Sequence, residues 1–145
     1  MVRLAEDGDL SALIGLYESV GFSDAADIDR RGALWVELLE SEATHVAVAI
    51  VDSTIVASAT LITAPNLLRD GRRHGFLESV AARPDRQGKG HGRAVVRYLL
   101  GLAWQADCYH VLLQSGRSDP RVHRFYEKLG FVAGLRTAYV AHRPA

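Results

Sequence analysis

Residues 87–92 read Gln-Gly-Lys-Gly-His-Gly, which sets Gly88, Gly90 and Gly92 at alternate positions with Lys89 and His91 between them. A glycine-rich turn that opens a helix clears side chains from the path of an anion and points free backbone N–H groups at it. The helix dipole adds attraction. Phosphate is the natural guest, and Lys89, Arg86 and Arg93 bring positive charge to the neighbourhood. The plainer alternative is a flexible connection whose glycines only permit a tight helix start. A dinucleotide fingerprint is excluded, because Arg93 stands where it needs glycine and Pro84-Asp85-Arg86 intervenes after the strand. A nucleotide P-loop is excluded as well, since neither Gly90 nor Gly92 is followed by Lys-Ser or Lys-Thr.

Two further residues have the chemistry of a proton-transfer site. Glu78 interrupts "GFLESVAA", a strand whose other residues favour burial, and a carboxylate there is costly unless hydrogen-bonded or put to use. Partial burial would raise its pKa and suit it to act as a base. The alternative is a structural carboxylate that caps a loop amide or pairs with Arg72 or Arg73. Tyr126 carries a phenol able to donate a proton, or else is a core tyrosine beside Phe125. The histidines show no metal-ligand spacing, His74, His91, His110 and His123 falling on separate elements, so no metal is expected. Cys108 has no activating neighbour and reads as a small apolar residue.

The elements that position these residues follow from periodicity. "VRLA" predicts a first strand, and Leu10, Leu13, Ile14, Tyr17 and Val20 recur at helical spacing after Asp7-Gly8-Asp9. Leu34, Trp35, Leu38 and Leu39 form a second helical stripe. "THVAVAIV" and "TIVASATLI" are β-branched runs separated by Asp52-Ser53, which predicts a hairpin. A basic loop, "LLRDGRRH", leads into the fourth strand, which Pro84 ends. Residues from about 90 to 106 predict a helix burying Val95, Val96, Leu99, Leu100 and Ala103, followed by the short strand "YHVLLQ". Asp119 as N-cap, Pro120 at the first position and Gly130 as the stop define a last helix, and "GFVAGLRTAYVAH" would supply one or two final strands. The strand-helix-strand crossover from 75 to 114 requires its two strands to be parallel within an otherwise antiparallel sheet. The expected fold is therefore α+β, a mixed and mostly antiparallel sheet flanked by helices.

The totals agree with a single domain over residues 1–145, long enough to bury a core without staples. Seventeen basic against seventeen acidic residues leave no net charge, which argues against nucleic acid or a membrane surface as partner. One cysteine excludes an intrachain disulfide. With neither a signal-peptide pattern nor a membrane-length apolar run, a cytoplasmic location is expected.

Two segments together resemble the GNAT acetyltransferases, which use acetyl coenzyme A. Gln87-Gly88-Lys89-Gly90-His91-Gly92 matches their Gln/Arg-x-x-Gly-x-Gly/Ala motif, and "FYEKLGF" from Phe125 to Phe131 is similar to their C-terminal signature. The order of elements fits the family fold over essentially the whole chain. The resemblance implies that residues 87–92 receive the coenzyme pyrophosphate on their backbone amides. It also implies a splayed parallel strand pair, with the backbone of Val80, Ala81 and Ala82 pairing with the pantetheine arm. Glu78 falls at the family's frequent general-base position, and Tyr126 at that of the tyrosine beside the coenzyme sulfur. The Val80 or Ala81 amide would stabilise the oxyanion. Asp119 stands where the family often has an asparagine that contacts the pantetheine arm, although an ionised aspartate cannot donate.

"HGFLESVAARPDRQGKG", "YHVLLQ" and "FYEKLGF" are most similar to the glucosamine-6-phosphate N-acetyltransferase branch. The reading is thus an N-acetyltransferase acting by direct attack on a small primary amine, with an amino sugar phosphate as one candidate. Asn66, Arg69, Asp70, Arg72 and Arg73 precede the fourth strand on the expected acceptor side, as an anion-attracting loop or simply a solvated one. A homodimer exchanging its C-terminal segment would complete the pocket. The alternatives are a catalytically silent acyl-coenzyme A binding module, or an acetyltransferase for protein N-termini or lysines.

Overall fold

The computed structural model describes residues 1–22 and 27–145. They divide into two compact units, Met1–Leu113 and Gln114–Ala145.

The first unit is built on five strands: β1 (Val2–Leu4), β2 (Thr44–Val51), β3 (Thr54–Ala64), β4 (Arg73–Ala82) and β5 (Cys108–Leu113). They lie side by side in sequence order. Neighbours through β4 are antiparallel, and β5 runs parallel to β4. The parallel step is the one the crossover demands, with α3 (His91–Gln105) as its helix. The β2–β3 hairpin turns on Asp52 at φ 47° and Ser53 at φ 61°, two consecutive left-handed residues that match the twist of the flanking strands.

Strand alternation sorts the two faces. Val46, Val48, Ile55 and Ala81 pack with Leu13 and Leu16 of α1 (Leu10–Ser19) and Trp35 of α2 (Ile28–Glu40). Trp35 lies 3% exposed and its indole donates to the Asp7 carbonyl at 3.0 Å, so α2 is tied to the turn before α1. The opposite face presents Ala47, Ala49, Ala57 and Ala59, whose small side chains admit α3 closely, together with Leu61 and Leu77. Into that face α3 sinks Val95, Val96, Leu99 and Ala103, none of them exposed to solvent. Burying each of the larger side chains contributes about 1.5–3 kcal/mol. Among the described residues no helix is long and apolar enough to cross a membrane.

The second unit holds α4 (Pro120–Glu127), which begins as the sequence requires: the Asp119 carboxylate accepts from the Arg121 N–H at 2.9 Å, and Pro120 follows it. The one or two strands expected after Gly130 are not formed. Gly130 and Gly134 take φ of 96° and 78° and turn the chain. Val132, Leu135, Tyr139 and Val140 lie exposed on a segment with no ladder partner, and without one the alternating pattern does not make a strand.

Candidate functional site

The pairing of β4 with β5 ends at Leu77↔Leu113. Beyond it, residues 78–82 of β4 are paired through β3 alone, so their other edge is open. Splaying a parallel pair in this way leaves a row of backbone donors and acceptors that an extended ligand can complete as a strand would. Val80, Ala81 and Ala82 all lie on that stretch.

At the same place β4 is bulged. Thr60 pairs with Glu78 and Ser58 with Ala81, so Ser79 and Val80 occupy the space opposite the single residue Ala59. Ser79 sits at φ 53°, a left-handed conformation that L side chains rarely adopt. Bulges re-aim side chains and interrupt pairing. Glu78, expected partly buried, is exposed; it stands in regular register with Thr60 immediately before the bulge. Its expected partners are also otherwise engaged or absent, since Arg72 pairs with Asp107 at 3.3 Å and no ion pair of Glu78 occurs among the described residues.

The face that Glu78 shares with Thr60 is the face of α1. Tyr17 of α1 reaches the hydroxyls of Ser58 and Thr60; burial pushes its phenol up, and those two hydroxyls pull it partly back. They are electrostatic neighbours rather than a closed network, because Ser58 Oγ is fully buried with no hydrogen-bond partner. Tyr17 reads in the sequence as one more residue of an apolar stripe, and the strained Ser79 has no sequence signal at all.

From Ala82 the chain runs through a single 3-10 turn, Pro84–Arg86, into the glycine loop. Gln87 Nε2 donates to the Ala82 carbonyl at 3.2 Å, tying the loop back to the end of β4. Gly88 and Gly90 take φ of 76° and 84°, and Gly90 is the N-cap of α3. No heavy atom lies within 4 Å of where a Cβ would stand on either, so the loop faces open space. None of the N–H groups of residues 87–92 is engaged by the backbone bonds that close the surrounding turns. The first amides of α3 are unpaired by helix geometry, and the dipole adds to them. Lys89 is exposed beside them, His91 is half-buried, and Arg86 leans on Asp85 at 3.9 Å. Arg83 binds Asp85 at 3.0 Å and holds that carboxyl below the usual range. The expected wedge and the expected anion loop are therefore contiguous on one unit.

Asp119 and Tyr126 belong to the second unit. The Asp119 carboxylate is held by the Arg121 guanidinium at 3.0 Å, which lowers its pKa, while it also caps α4. Burial pushes the Tyr126 phenol up, with Arg117 opposing, and Phe125 and Phe131 meet its ring edge-on at 5.0 and 5.9 Å. Cys108 is buried and its thiol is pushed up by desolvation, consistent with an apolar filler. Among the described residues no three His, Cys, Asp or Glu side chains converge.

The sequence pattern of the acetyltransferase (GNAT) family matches residues 9–131. A probable glucosamine 6-phosphate N-acetyltransferase 2 of Oryza sativa subsp. japonica is 36% identical over 81 residues, covering 56% of this chain and 47% of the rice protein. This chain thus matches only about half the length of that relative. The glucosamine 6-phosphate N-acetyltransferase of Schizosaccharomyces pombe is 37% identical over 90 residues, covering 61% of this chain and 78% of the yeast protein. Among solved structures, a putative acetyltransferase from Agrobacterium tumefaciens superposes with a TM-score of 0.91 at 38% identity, covering 99% of each chain.

Proposed function

Because the chain belongs to the acetyltransferase (GNAT) family, we propose that it moves the acetyl group of acetyl coenzyme A to a small primary amine, an amino sugar phosphate of the glucosamine 6-phosphate kind. The observation that carries this reading is the continuity of the open β4 edge with the unpaired amides of residues 87–92. An extended thioester arm ending in a pyrophosphate needs both, in that order. The named activities of the rice and yeast relatives favour the amino sugar phosphate.

The reaction proceeds by direct attack in a ternary complex within one domain. The amine lone pair adds to the thioester carbonyl, the oxygen takes up negative charge, and the carbon–sulfur bond then breaks. A backbone N–H at the bulge, of Val80 or Ala81, faces the developing oxyanion; fixed donors of this kind are worth roughly 3–4 kcal/mol. Glu78 takes the amine proton, and its exposure lets a water carry that proton across any gap. Tyr126 returns a proton to the departing thiolate. Its raised pKa keeps the phenol protonated, as an acid must be.

The test is thiol release from acetyl coenzyme A across glucosamine 6-phosphate, polyamines, amino acids and short peptides, with Glu78→Gln alongside. Expected are turnover on the amino sugar phosphate and a loss in kcat of about 100-fold or more in the variant, with coenzyme affinity unchanged. Turnover confined to peptides would replace the acceptor. Tight coenzyme binding without acetylation of any amine would make the protein a silent binding module, and full turnover in the variant would remove Glu78 from the mechanism.

A further inference from the structure

Where β4 and β5 begin, the register slips: Arg73 pairs with Cys108, but His74 pairs with His110, leaving Tyr109 as an extra residue. A bulge of this kind turns two consecutive side chains to one face of the sheet. Tyr109 and His110 accordingly stack, with ring centroids 3.9 Å apart and planes at 24°. Both reach the same atom of the neighbouring strand. His74 Nδ1 lies 3.3 Å from His110 Nε2 and 3.2 Å from Tyr109 Oη.

A neutral ring nitrogen has either one lone pair or one N–H, so a hydrogen bond satisfies it with a single partner in line. Two polar atoms crowded on one nitrogen form instead the outline of a shared coordination centre. The spacing fits: two nitrogens each about 2.05 Å from a common ion and 3.3 Å apart subtend about 107° at it, close to a tetrahedral angle. We infer that His74, Tyr109 and His110 form a binding site for a zinc ion, pinning the edge strand β5 to β4 and leaving the fourth position to water.

The donors are two imidazoles and a phenol on two strands, which is why histidine spacing along the sequence does not point to them. The site lies outside the wedge and the glycine loop, so it does not depend on the acetyl-transfer reading. Arg69 carries a charge that opposes a cation, its guanidinium 5.5 Å from the Tyr109 ring centroid, and Arg73 directly precedes His74 on β4. The same four groups would suit an anion, with Arg69 helping rather than hindering. Removing Arg69 therefore separates the two.

The experiment is calorimetric titration of tag-free, full-length protein with zinc chloride in a non-chelating buffer at pH 7.5. It is run on the wild type and on His74→Gln, His110→Gln, Tyr109→Phe and Arg69→Gln, with circular dichroism to verify folding and a thermal melt with and without zinc. Expected are one zinc per chain, a weakening of about 30-fold or more in each histidine variant and a smaller loss in Tyr109→Phe. Arg69→Gln should tighten binding a few-fold, and the wild-type melting temperature should rise with zinc while those of the histidine variants do not. Absence of stoichiometric binding, or its persistence in both folded histidine variants, overturns the site and leaves an ordinary hydrogen-bonded histidine pair. Binding of inorganic phosphate in place of zinc, weakened by Arg69→Gln, overturns it in favour of an anion site.

Discussion

Gly90→Ala tests whether the glycine loop is a shaped receptor or a loose joint. Gly90 sits at φ 84° as N-cap of α3, and a Cβ built on it meets nothing within 4 Å. Sterics therefore cost nothing beyond the residue itself, and the whole penalty is the left-handed backbone, about 1–2 kcal/mol for alanine. That penalty has two places to appear. If the backbone holds its shape, urea denaturation reports a stability loss of about 1–2 kcal/mol with coenzyme affinity intact. If the loop relaxes to negative φ, the amides turn away and acetyl coenzyme A binds about 5- to 30-fold more weakly for the same energy. The two losses, measured by urea melts and by titration with acetyl coenzyme A, should sum to about 1–2 kcal/mol. Gly90→Asn is the control, since asparagine tolerates the left-handed region and caps helices; its total loss should be clearly smaller. An alanine variant with neither loss, or an asparagine variant as damaged as the alanine, would refute the conformational argument.

Other positions give independent checks. Gly75→Ala places a Cβ 3.0 Å from both the His110 carbonyl oxygen and Val111 Cγ2, so the β4–β5 pair must shift; about 1–3 kcal/mol of stability should be lost in urea melts. Asp9 accepts from Arg3 at 2.6 and 3.0 Å, and this pairing lowers its pKa. A carboxyl depressed in the folded state stabilises above its unfolded pKa and loses that contribution as pH falls through the folded value. Asp9→Asn should therefore cost about 1 kcal/mol at pH 7, and the difference from the wild type should shrink as pH falls below the ordinary carboxylate range and through the lowered folded-state value. The raised Tyr126 pKa predicts a kcat that stays level as pH rises past the ordinary tyrosine value, whereas Tyr126→Phe should lower kcat by about 100-fold. A kcat declining well below pH 10 would point to a different acid.

What could be read from the sequence was whatever short-range chemistry determines. Asp52-Ser53 as a turn, Asp119-Pro120 as a helix start and the stripe Val95, Val96, Leu99 and Ala103 are local patterns, and each stands in the structure as the sequence requires, while Leu100, expected on the same stripe, is only half-buried at its edge. The parallel step was legible because a crossover helix admits one handedness and one strand direction. Register was not. The Ser79–Val80 bulge has no local signal, and the apolar neighbours of Glu78 do not reveal that its own position is open to solvent. The same limit hid the meeting of His74 with His110, set by one surplus residue at Tyr109. The final strands failed differently, because their alternating pattern is a capacity to pair that a ladder partner must complete.

Exposure of Glu78 also changes the kind of base it would be. A buried carboxylate must be reached by an amine that has itself shed water. An exposed one is reached through solvent, with water able to relay the proton. The burden of rate then falls on positioning and on the oxyanion donor, the contributions a rigid bulge is suited to supply. The left-handed Ser79 costs the fold about 1–2 kcal/mol, and strain of that size is retained where the surrounding pairing over-determines it. Here β3 pairing resumes on both sides, at Glu78 and Ala81, and holds the bulge in place. One irregularity thus interrupts the ladder immediately after the exposed carboxylate, beside the unpaired edge where the thioester would lie.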